Sequence, residues 1–172
     1  KTLIKLLGAV LLVGVTTWVG VNASFRLRQR ERAARAFASA LEQLAAELSF
    51  EMARIPDVLL KLSKTAPEIT RPFFHMCVNA TKQIGELPFS VIWRESLLKS
   101  HTGLGDEERL EVIQAGVILG RYGIEAQLGA VMNCIQRLRA LADEASVMNR
   151  DKGKVYTALG ICSGIMAVIV LL

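Results

Sequence analysis

Two histidines and three cysteines are the side chains in this sequence best suited to metal binding or nucleophilic chemistry. His75 and Cys77 stand two residues apart. Residues two apart on a helix point to different sides, whereas metal-binding pairs on a helix stand three or four apart. His101 lies in a polar segment, 99–103, without a second such residue beside it. The pattern therefore predicts a partly exposed His75, a core Cys77, a solvent-exposed His101 and no metal site.

The remaining motifs also argue against catalysis. The sequence contains no glycine-rich phosphate loop and no nucleophile elbow. Cys77, Cys134 and Cys162 cannot all pair with one another, and Cys162 lies in an uncharged segment, which disfavours a disulfide framework. We therefore predict free thiols in a reducing compartment, no cofactor and no enzymatic activity.

Both ends of the chain have the composition of membrane spans. Hydrophobic residues make up 52% of the sequence and the mean hydropathy is +0.36. Segment 3–21 carries a single charge, Lys5, and segment 155–172 carries none. Eighteen helical residues rise about 27 Å, close to the thickness of the bilayer core. These features predict transmembrane helices over 3–21 and 155–172, bracketing a domain over 24–154.

The charge distribution predicts how this domain is oriented. Nineteen basic and sixteen acidic residues in 24–154 give it a net charge of +3, too balanced for a nucleic-acid-binding domain. Basic residues concentrate next to the spans: Arg26, Arg28, Arg30, Arg32 and Arg35 follow the first, and Arg150, Lys152 and Lys154 precede the second. Basic flanks stay inside and attract anionic lipid, so we expect a cytoplasmic domain in a cell membrane.

A competing interpretation treats the N-terminal segment as a cleaved signal peptide. Val21-Asn22-Ala23 before Ser24 resembles a small-residue cleavage site. This interpretation requires export of the five arginines that follow, and it would place the basic flank of the second span outside.

Apolar residues recur at helical spacing next to each span. Ala34, Phe37, Leu41, Leu44 and Leu48 form one seam, and Ile124, Leu128, Val131, Ile135, Leu138, Ala142 and Ala145 form the other. Steps of three and four residues place such side chains on one helix face. The two helices are therefore predicted to pack as an antiparallel stalk.

Shorter helices fill the middle of the sequence. Pro56 and Pro88 each open one, and a Thr65 cap opens another whose stripe is Ile69, Phe73, Met76 or Cys77, Ala80 and Ile84. Pro72 weakens the first turn of this helix, and a start at Pro72 is the alternative. The last begins at Asp106 and carries Leu110, Ile113 and Val117. No segment alternates with period two. The prediction is an all-α antiparallel bundle of about six helices, with the first and last extended into transmembrane spans.

Glycine spacing adds two expectations about helix contacts. Gly160 and Gly164 form a GxxxG spacing inside the second span, which lets a neighbouring span approach closely; a plain anchor is the alternative. Gly116 and Gly120 repeat this spacing in the bundle, where we expect close helix packing. A homo-oligomer joined through the spans fits the first spacing.

The order of these parts resembles stage III sporulation protein AB. The resemblance rests on the segment 102–108, Thr-Gly-Leu-Gly-Asp-Glu-Glu, and on Leu119-Gly120-Arg121 followed by Gln127, with spans at both ends. At 122 and 123, where the family has Ser or Thr and then Asp, this chain has Tyr122 and Gly123. The Ser or Thr and Asp at these positions form a helix cap in the family, and we assign to this chain no family role that depends on that cap.

The resemblance implies a function that the residues alone do not indicate. It implies the six-helix fold of the F domain of type II secretion and type IV pilus platform proteins. It also implies a mother-cell component of the complex between mother cell and forespore, with other stage III sporulation proteins and a cytoplasmic secretion-type ATPase as partners. The candidate partner-binding residues lie in loops expected at the tip of the stalk, namely Arg54, Asp57, Gly120, Arg121, Tyr122, Gly123 and Gln127.

A membrane-tethered sensor or signalling adaptor is the alternative function. It shares the two spans and the helical domain, and it would pass a signal between the chain ends and the bundle. The sequence places almost no residues outside the membrane to sense anything, which favours the assembly role.

Overall fold

The computed structural model describes the backbone of residues 2–50, 54–81 and 87–171. Side chains are described within 22–151, apart from residues 23, 51–53 and 82–86. Every regular element in these residues is a helix, which confirms the prediction of an all-helical chain with six helices. They are α1 Thr2–Phe50, α2 Ile55–Thr65, α3 Arg71–Thr81, α4 Phe89–Lys99, α5 Asp106–Ile118 and α6 Ile124–Leu171.

Membrane spanning is the part of the predicted architecture that stays a prediction. Among the described residues, no helix is both long enough and apolar enough to cross a bilayer. The predicted spans, 3–21 and 155–172, lie outside the residues whose side chains are described, and so do Gly160 and Gly164.

The chain divides into two units. One consists of Lys1–Gln29 with Glu144–Leu172, and the other of Arg30–Asp143. In the first unit Phe25 is 64% exposed, whereas Ala145 is buried. The second unit contains the four short helices together with the adjoining parts of α1 and α6. It holds nearly all of the buried side chains described below.

Two ion pairs show how α1 and α6 run relative to each other within the second unit. Arg35 Nη2 lies 2.8 Å from Asp143 Oδ1, and Arg139 pairs with Glu42. Moving forward along α1 from 35 to 42 therefore means moving backward along α6 from 143 to 139. The two helices are antiparallel, and their predicted seams are largely buried, including Phe37, Leu41, Leu44, Val131, Ile135 and Leu138.

An aromatic cluster fills the centre of the second unit. Phe73 of α3 meets the Trp93 ring of α4 edge-on, with ring centroids 4.8 Å apart, and Phe37 of α1 lies 5.6 Å from Phe73. Trp93 Nε1 donates a 2.8 Å hydrogen bond to the backbone oxygen of Val112, so its polar atom is satisfied although the residue is fully buried. The cluster joins α1, α3, α4 and α5 in one core.

Of the apolar residues predicted on α5, only Ile113 packs against the core. Leu110 and Val117 are 55% and 45% exposed, whereas Glu108, Val112 and Ala115 are buried. Apolar residues lie on two sides of this helix, so periodicity alone does not select the buried side. Packing selects it, because the indole of Trp93 covers the side of α5 that contains Gly116.

Of the two predicted starts of α3, the cap at Thr65 is wrong and the start near Pro72 is confirmed, because α3 begins at Arg71. Thr65 is the last residue of α2, and its hydroxyl donates to the Lys61 oxygen rather than capping a new helix. Ile69 precedes α3 and is 40% exposed. Pro72 explains the shift, because proline suits the first turn of a helix but not its interior.

Candidate functional site

The turn that follows α5 lies against the starts of two other helices. Gly120 has φ +77°, and a Cβ built there would lie 3.3 Å from Ile55 Cδ1 and 3.8 Å from the Phe89 side chain. Ile55 begins α2 and Phe89 begins α4. Glycine suits this position because L-residues rarely adopt a left-handed backbone and a side chain would press on Ile55. The structure thus brings together the two predicted partner-binding segments, 54–57 and 120–123.

A buried leucine anchors this turn. Leu119 is 2% exposed and lines one apolar depression with Leu44, Leu48, Ile55 and Val58. The backbone N–H of Leu119 donates to Ala115, and that of Arg121 donates to Ile118. The turn is therefore fixed to the core on one side while its other side faces solvent.

Six exposed side chains at this end of the second unit form what we call the tip surface: Phe50, Arg54, Asp57, Arg121, Tyr122 and Ile124. Phe50 is 87% exposed, Tyr122 52% and Ile124 45%. Ile124, predicted as the first residue of the α6 seam, is therefore exposed instead, and Phe50 was not predicted as a surface residue. The only available signal was that Phe50 falls two residues after Leu48, off the buried seam.

Gln127 maintains the shape of the turn. Its Nε2 donates a 2.6 Å hydrogen bond to the backbone oxygen of Tyr122, and its backbone N–H donates to Gly123 at 3.1 Å. The Arg121 guanidinium lies 5.8 Å from the centre of the Tyr122 ring, within cation–π range. Gln127 thus holds the backbone, while Arg121 and Tyr122 are presented to solvent.

Arg54 and Asp57 form the start of α2. The backbone oxygen of Arg54 accepts hydrogen bonds from Asp57 and Val58, at 2.9 and 3.1 Å. Asp57 lies in the first turn, where a negative charge interacts favourably with the helix dipole. Both side chains are exposed. Asp57 therefore has a local structural role, and Arg54 is available for contact.

Arg30, predicted to flank the membrane, has carboxylate partners within the second unit. Arg30 Nε lies 2.5 Å from Glu108 Oε1, and Nη2 lies 3.1 Å from Glu107. The hydrogen bond to Glu108 outweighs the effect of partial burial and raises the pKa of Arg30. Glu108 is fully buried and its second oxygen has no protein partner. This pair ties α1 to the start of α5.

The Arg30–Glu108 pair lies over a glycine. A Cβ at Gly105 would come within 2.6 Å of both Arg30 Nε and Glu108 Oε2. Residues 106–108 are acidic and lie in the first turn of α5, where negative charge interacts favourably with the helix dipole. This pattern does not indicate that Glu108 is buried. The partner of Glu108 is 78 residues away in the chain, beyond the reach of periodicity.

The other basic residues predicted to flank the membrane fall into two groups, those with ion-pair partners and those exposed to solvent. Arg35 pairs with Glu31 and Asp143. Arg26, Arg28, Arg32 and Arg150 are exposed, and the side chains of Lys152 and Lys154 lie outside the described residues. A membrane-flanking role for this set stays a prediction.

The described histidine and cysteine side chains are not assembled into a metal site, and Cys162 lies outside the residues whose side chains are described. His75 is exposed while Cys77 is buried. Burial raises the pKa of the Cys77 and Cys134 thiols to about 12, so neither is a ready nucleophile near neutral pH. Within the part of the chain that the structure describes, no group of three or more His, Cys, Asp or Glu residues could hold a metal ion.

Comparison with known proteins identifies relatives across almost the whole chain. The family profile described as stage III sporulation protein AB matches residues 5–172. Stage III sporulation protein AB of Bacillus subtilis (strain 168) is 24% identical over 172 residues, covering 99% of this chain and 100% of that protein. A solved structure of stage III sporulation protein AB matches with a TM-score of 0.63 and 20% identity, over 71% of this chain and 97% of that one. At this identity the structural match supports the fold alone. The family resemblance predicted from the sequence is confirmed.

Proposed function

Since the chain belongs to the stage III sporulation protein AB family, we propose that it serves endospore formation as a non-enzymatic, membrane-anchored assembly component. Its helical domain docks other members of the secretion-like complex between mother cell and forespore, including a cytoplasmic secretion-type ATPase. Family membership supports the role in sporulation. The docking role rests on the geometry of the tip surface.

The observation that carries the docking proposal is the exposure of aromatic and arginine side chains on the turn after α5 and at the neighbouring ends of α1 and α2. Phe50 and Tyr122 are 87% and 52% exposed, beside the exposed Arg54 and Arg121. Aromatic and arginine residues supply most of the binding energy in protein interfaces. Leu119 and Gln127 hold the backbone that carries Arg121 and Tyr122, so binding there orders little additional chain.

Two spans complete the proposal. Segments 3–21 and 155–172 would anchor the chain, with the exposed Arg26, Arg28, Arg32 and Arg150 at the cytoplasmic membrane surface. Anchoring would confine the tip surface to the cytoplasmic side, where the proposed ATPase partner would reach it. Protease added to right-side-out membrane vesicles should leave the helical domain over 24–154 uncut. Cleavage of this domain from the outside would contradict the proposed orientation.

Complementation of a deletion strain tests the docking role. The double variant Arg54→Glu/Tyr122→Ala should lower heat-resistant spore counts at least about tenfold, because each lost anchor residue is worth roughly 1–2 kcal/mol. Lys64→Glu, which reverses an exposed charge at the other end of α2, is the matched control and should sporulate normally. Immunoblots establish that both variants accumulate equally. Normal spore counts in the double variant would contradict the docking role of the tip surface.

A further inference from the structure

The outward sides of α4 and α5 carry apolar side chains that the proposed function does not use. Leu110 and Val117 of α5 are 55% and 45% exposed, and Val91 and Leu98 of α4 are 37% and 52% exposed. Single exposed apolar residues are ordinary, but several on two adjacent helices are typical of an interaction site.

Contacts in the core show that these residues belong to one surface. Trp93 of α4 donates its hydrogen bond to Val112 of α5 and covers Gly116, so the two helices pack side by side. The inner sides of both helices face the core, which leaves their outer sides next to each other. We call Val91, Leu98, Leu110, Ile113 and Val117 the outer face.

The spacing along α5 suits contact with another helix. Leu110, Ile113 and Val117 follow one another at three and four residues, and Ile113 is partly buried between two exposed neighbours. This is the seam by which one helix packs against another. An amphipathic helix can therefore lie along the outer face with its own apolar seam inward.

Opposite charges stand at the two ends of this seam. Asp106, four residues before Leu110, has a fully exposed side chain whose described contact is a 3.4 Å pair with Arg109. Arg121, in the turn that follows the end of α5 at Ile118, is exposed. Asp106 and Arg121 thus lie beyond opposite ends of the apolar residues, and the outer face runs from an acidic end to a basic end along α5.

We propose that the outer face binds an amphipathic helix of a partner protein, antiparallel to α5. Its first turn carries carboxylates that meet Arg121, and its last turn carries Lys or Arg side chains that meet Asp106. Carboxylates at the N-terminus and cations at the C-terminus also suit the partner helix's own dipole, so charge pairing and helix stability favour the same direction. The outer face is separate from the tip surface, apart from Arg121 at their border.

A synthetic helix tests this assignment. The probe is an 18-residue fluorescent peptide with leucines at alternating three- and four-residue spacing, glutamates in its first turn and lysines in its last. A second peptide of equal helicity carries glutamine at the charged positions. Both are titrated against the full chain in lipid nanodiscs, with empty nanodiscs as the background, and binding is followed by fluorescence anisotropy.

The charged peptide should bind about fivefold more tightly than the glutamine peptide, the effect of two exposed ion pairs. Val117→Asp should weaken binding of both peptides at least about tenfold, because it places a charge in the apolar seam. Leu60→Asp is the matched control, since Leu60 is 47% exposed on α2, and it should leave binding unchanged.

Three results would overturn the proposal: no binding above the background at about 1 mM peptide, equal affinity for the two peptides, or equal losses from Val117→Asp and Leu60→Asp. Self-association of the chain that Val117→Asp abolishes and the peptide does not displace would assign the outer face to a second copy instead. None of these results bears on the tip-surface variants, so the two proposals fail separately.

Discussion

The ion pair between Arg30 and Glu108 gives a quantitative prediction about stability. Glu108 is fully buried, and Arg30, whose side chain is 26% exposed, is its one described ion-pair partner, 2.5 Å away. Arg30→Met removes this partner and leaves a buried carboxylate unpaired. Breaking a buried ion pair costs about 3–5 kcal/mol. Because water reaches Arg30 and can enter the vacated space, we expect the free energy of unfolding to fall by about 2–3 kcal/mol.

Replacing both residues should recover most of that loss. Apolar side chains that substitute for a buried pair are often neutral or stabilising, so Arg30→Met/Glu108→Leu should lie within about 1 kcal/mol of the parent. Arg35→Met is the matched control, because Arg35 and its partner Asp143 are 51% and 68% exposed. Such a surface pair contributes at most about 1 kcal/mol.

Urea unfolding in nanodiscs, followed by tryptophan fluorescence, measures these differences. The chain has two tryptophans, so a Trp18→Phe background leaves Trp93, in the core of the second unit, as the reporter. If Arg30→Met lowers the free energy of unfolding by less than about 1 kcal/mol, this result refutes the reasoning. A double variant, Arg30→Met/Glu108→Leu, that is no more stable than Arg30→Met also refutes it.

Three further predictions concern other parts of the bundle. Gly116→Ala should lower the free energy of unfolding by about 1–3 kcal/mol in the same urea assay, because its methyl group would overlap the indole of Trp93. Gly129→Ala should raise it by about 0.5–1 kcal/mol, because nothing lies within 4 Å of the added methyl group and alanine favours the helix. Gln127→Ala should lower the free energy of unfolding by about 1 kcal/mol and speed amide hydrogen exchange in the turn before α6, because the 2.6 Å hydrogen bond to Tyr122 is lost. Unchanged hydrogen exchange in this turn would contradict the prediction. The Cys77 and Cys134 thiols, with pKa raised to about 12 by burial, should resist alkylation at pH 8 until urea unfolds the chain. The two buried thiols contribute fully to the free energy of unfolding below roughly pH 9, the pKa of a thiol in the unfolded chain. This contribution is lost as the pH rises toward about 12, the pKa of the buried thiols. Fast native-state labelling at either position, measured by peptide mass spectrometry, would contradict their burial.

Periodicity predicted the long helices well because each has one apolar side. Phe37, Leu41 and Leu44 repeat at three and four residues in α1, and all three are buried as expected. The same reasoning failed for α5, where Leu110 and Val112 lie on different sides and both are apolar. Only the position of the neighbouring helix decides between them, and that is not a local property of the sequence.

The candidate site was predictable to a similar extent. Turn residues such as Gly120 indicated where the loops lie, because glycine marks positions with unusual backbone geometry. The contact between Gly120 and Ile55 depends on packing between distant segments, as does the burial of Glu108. Charged residues are assigned to the surface from sequence because burying one without a partner is costly, and the partner here is remote in the chain.

The central claim, that the tip surface docks a cytoplasmic partner, is tested most directly by site-specific photo-crosslinking in the sporulating host. A photoreactive amino acid replaces Tyr122, Arg54 or, as the control, His75, which is exposed on α3. We predict that positions 122 and 54 form the same adduct with a cytoplasmic protein of the secretion ATPase class, whereas position 75 does not. Adducts at 75 equal to those at 122, or none at 122 and 54 in cells that sporulate normally, would contradict the claim.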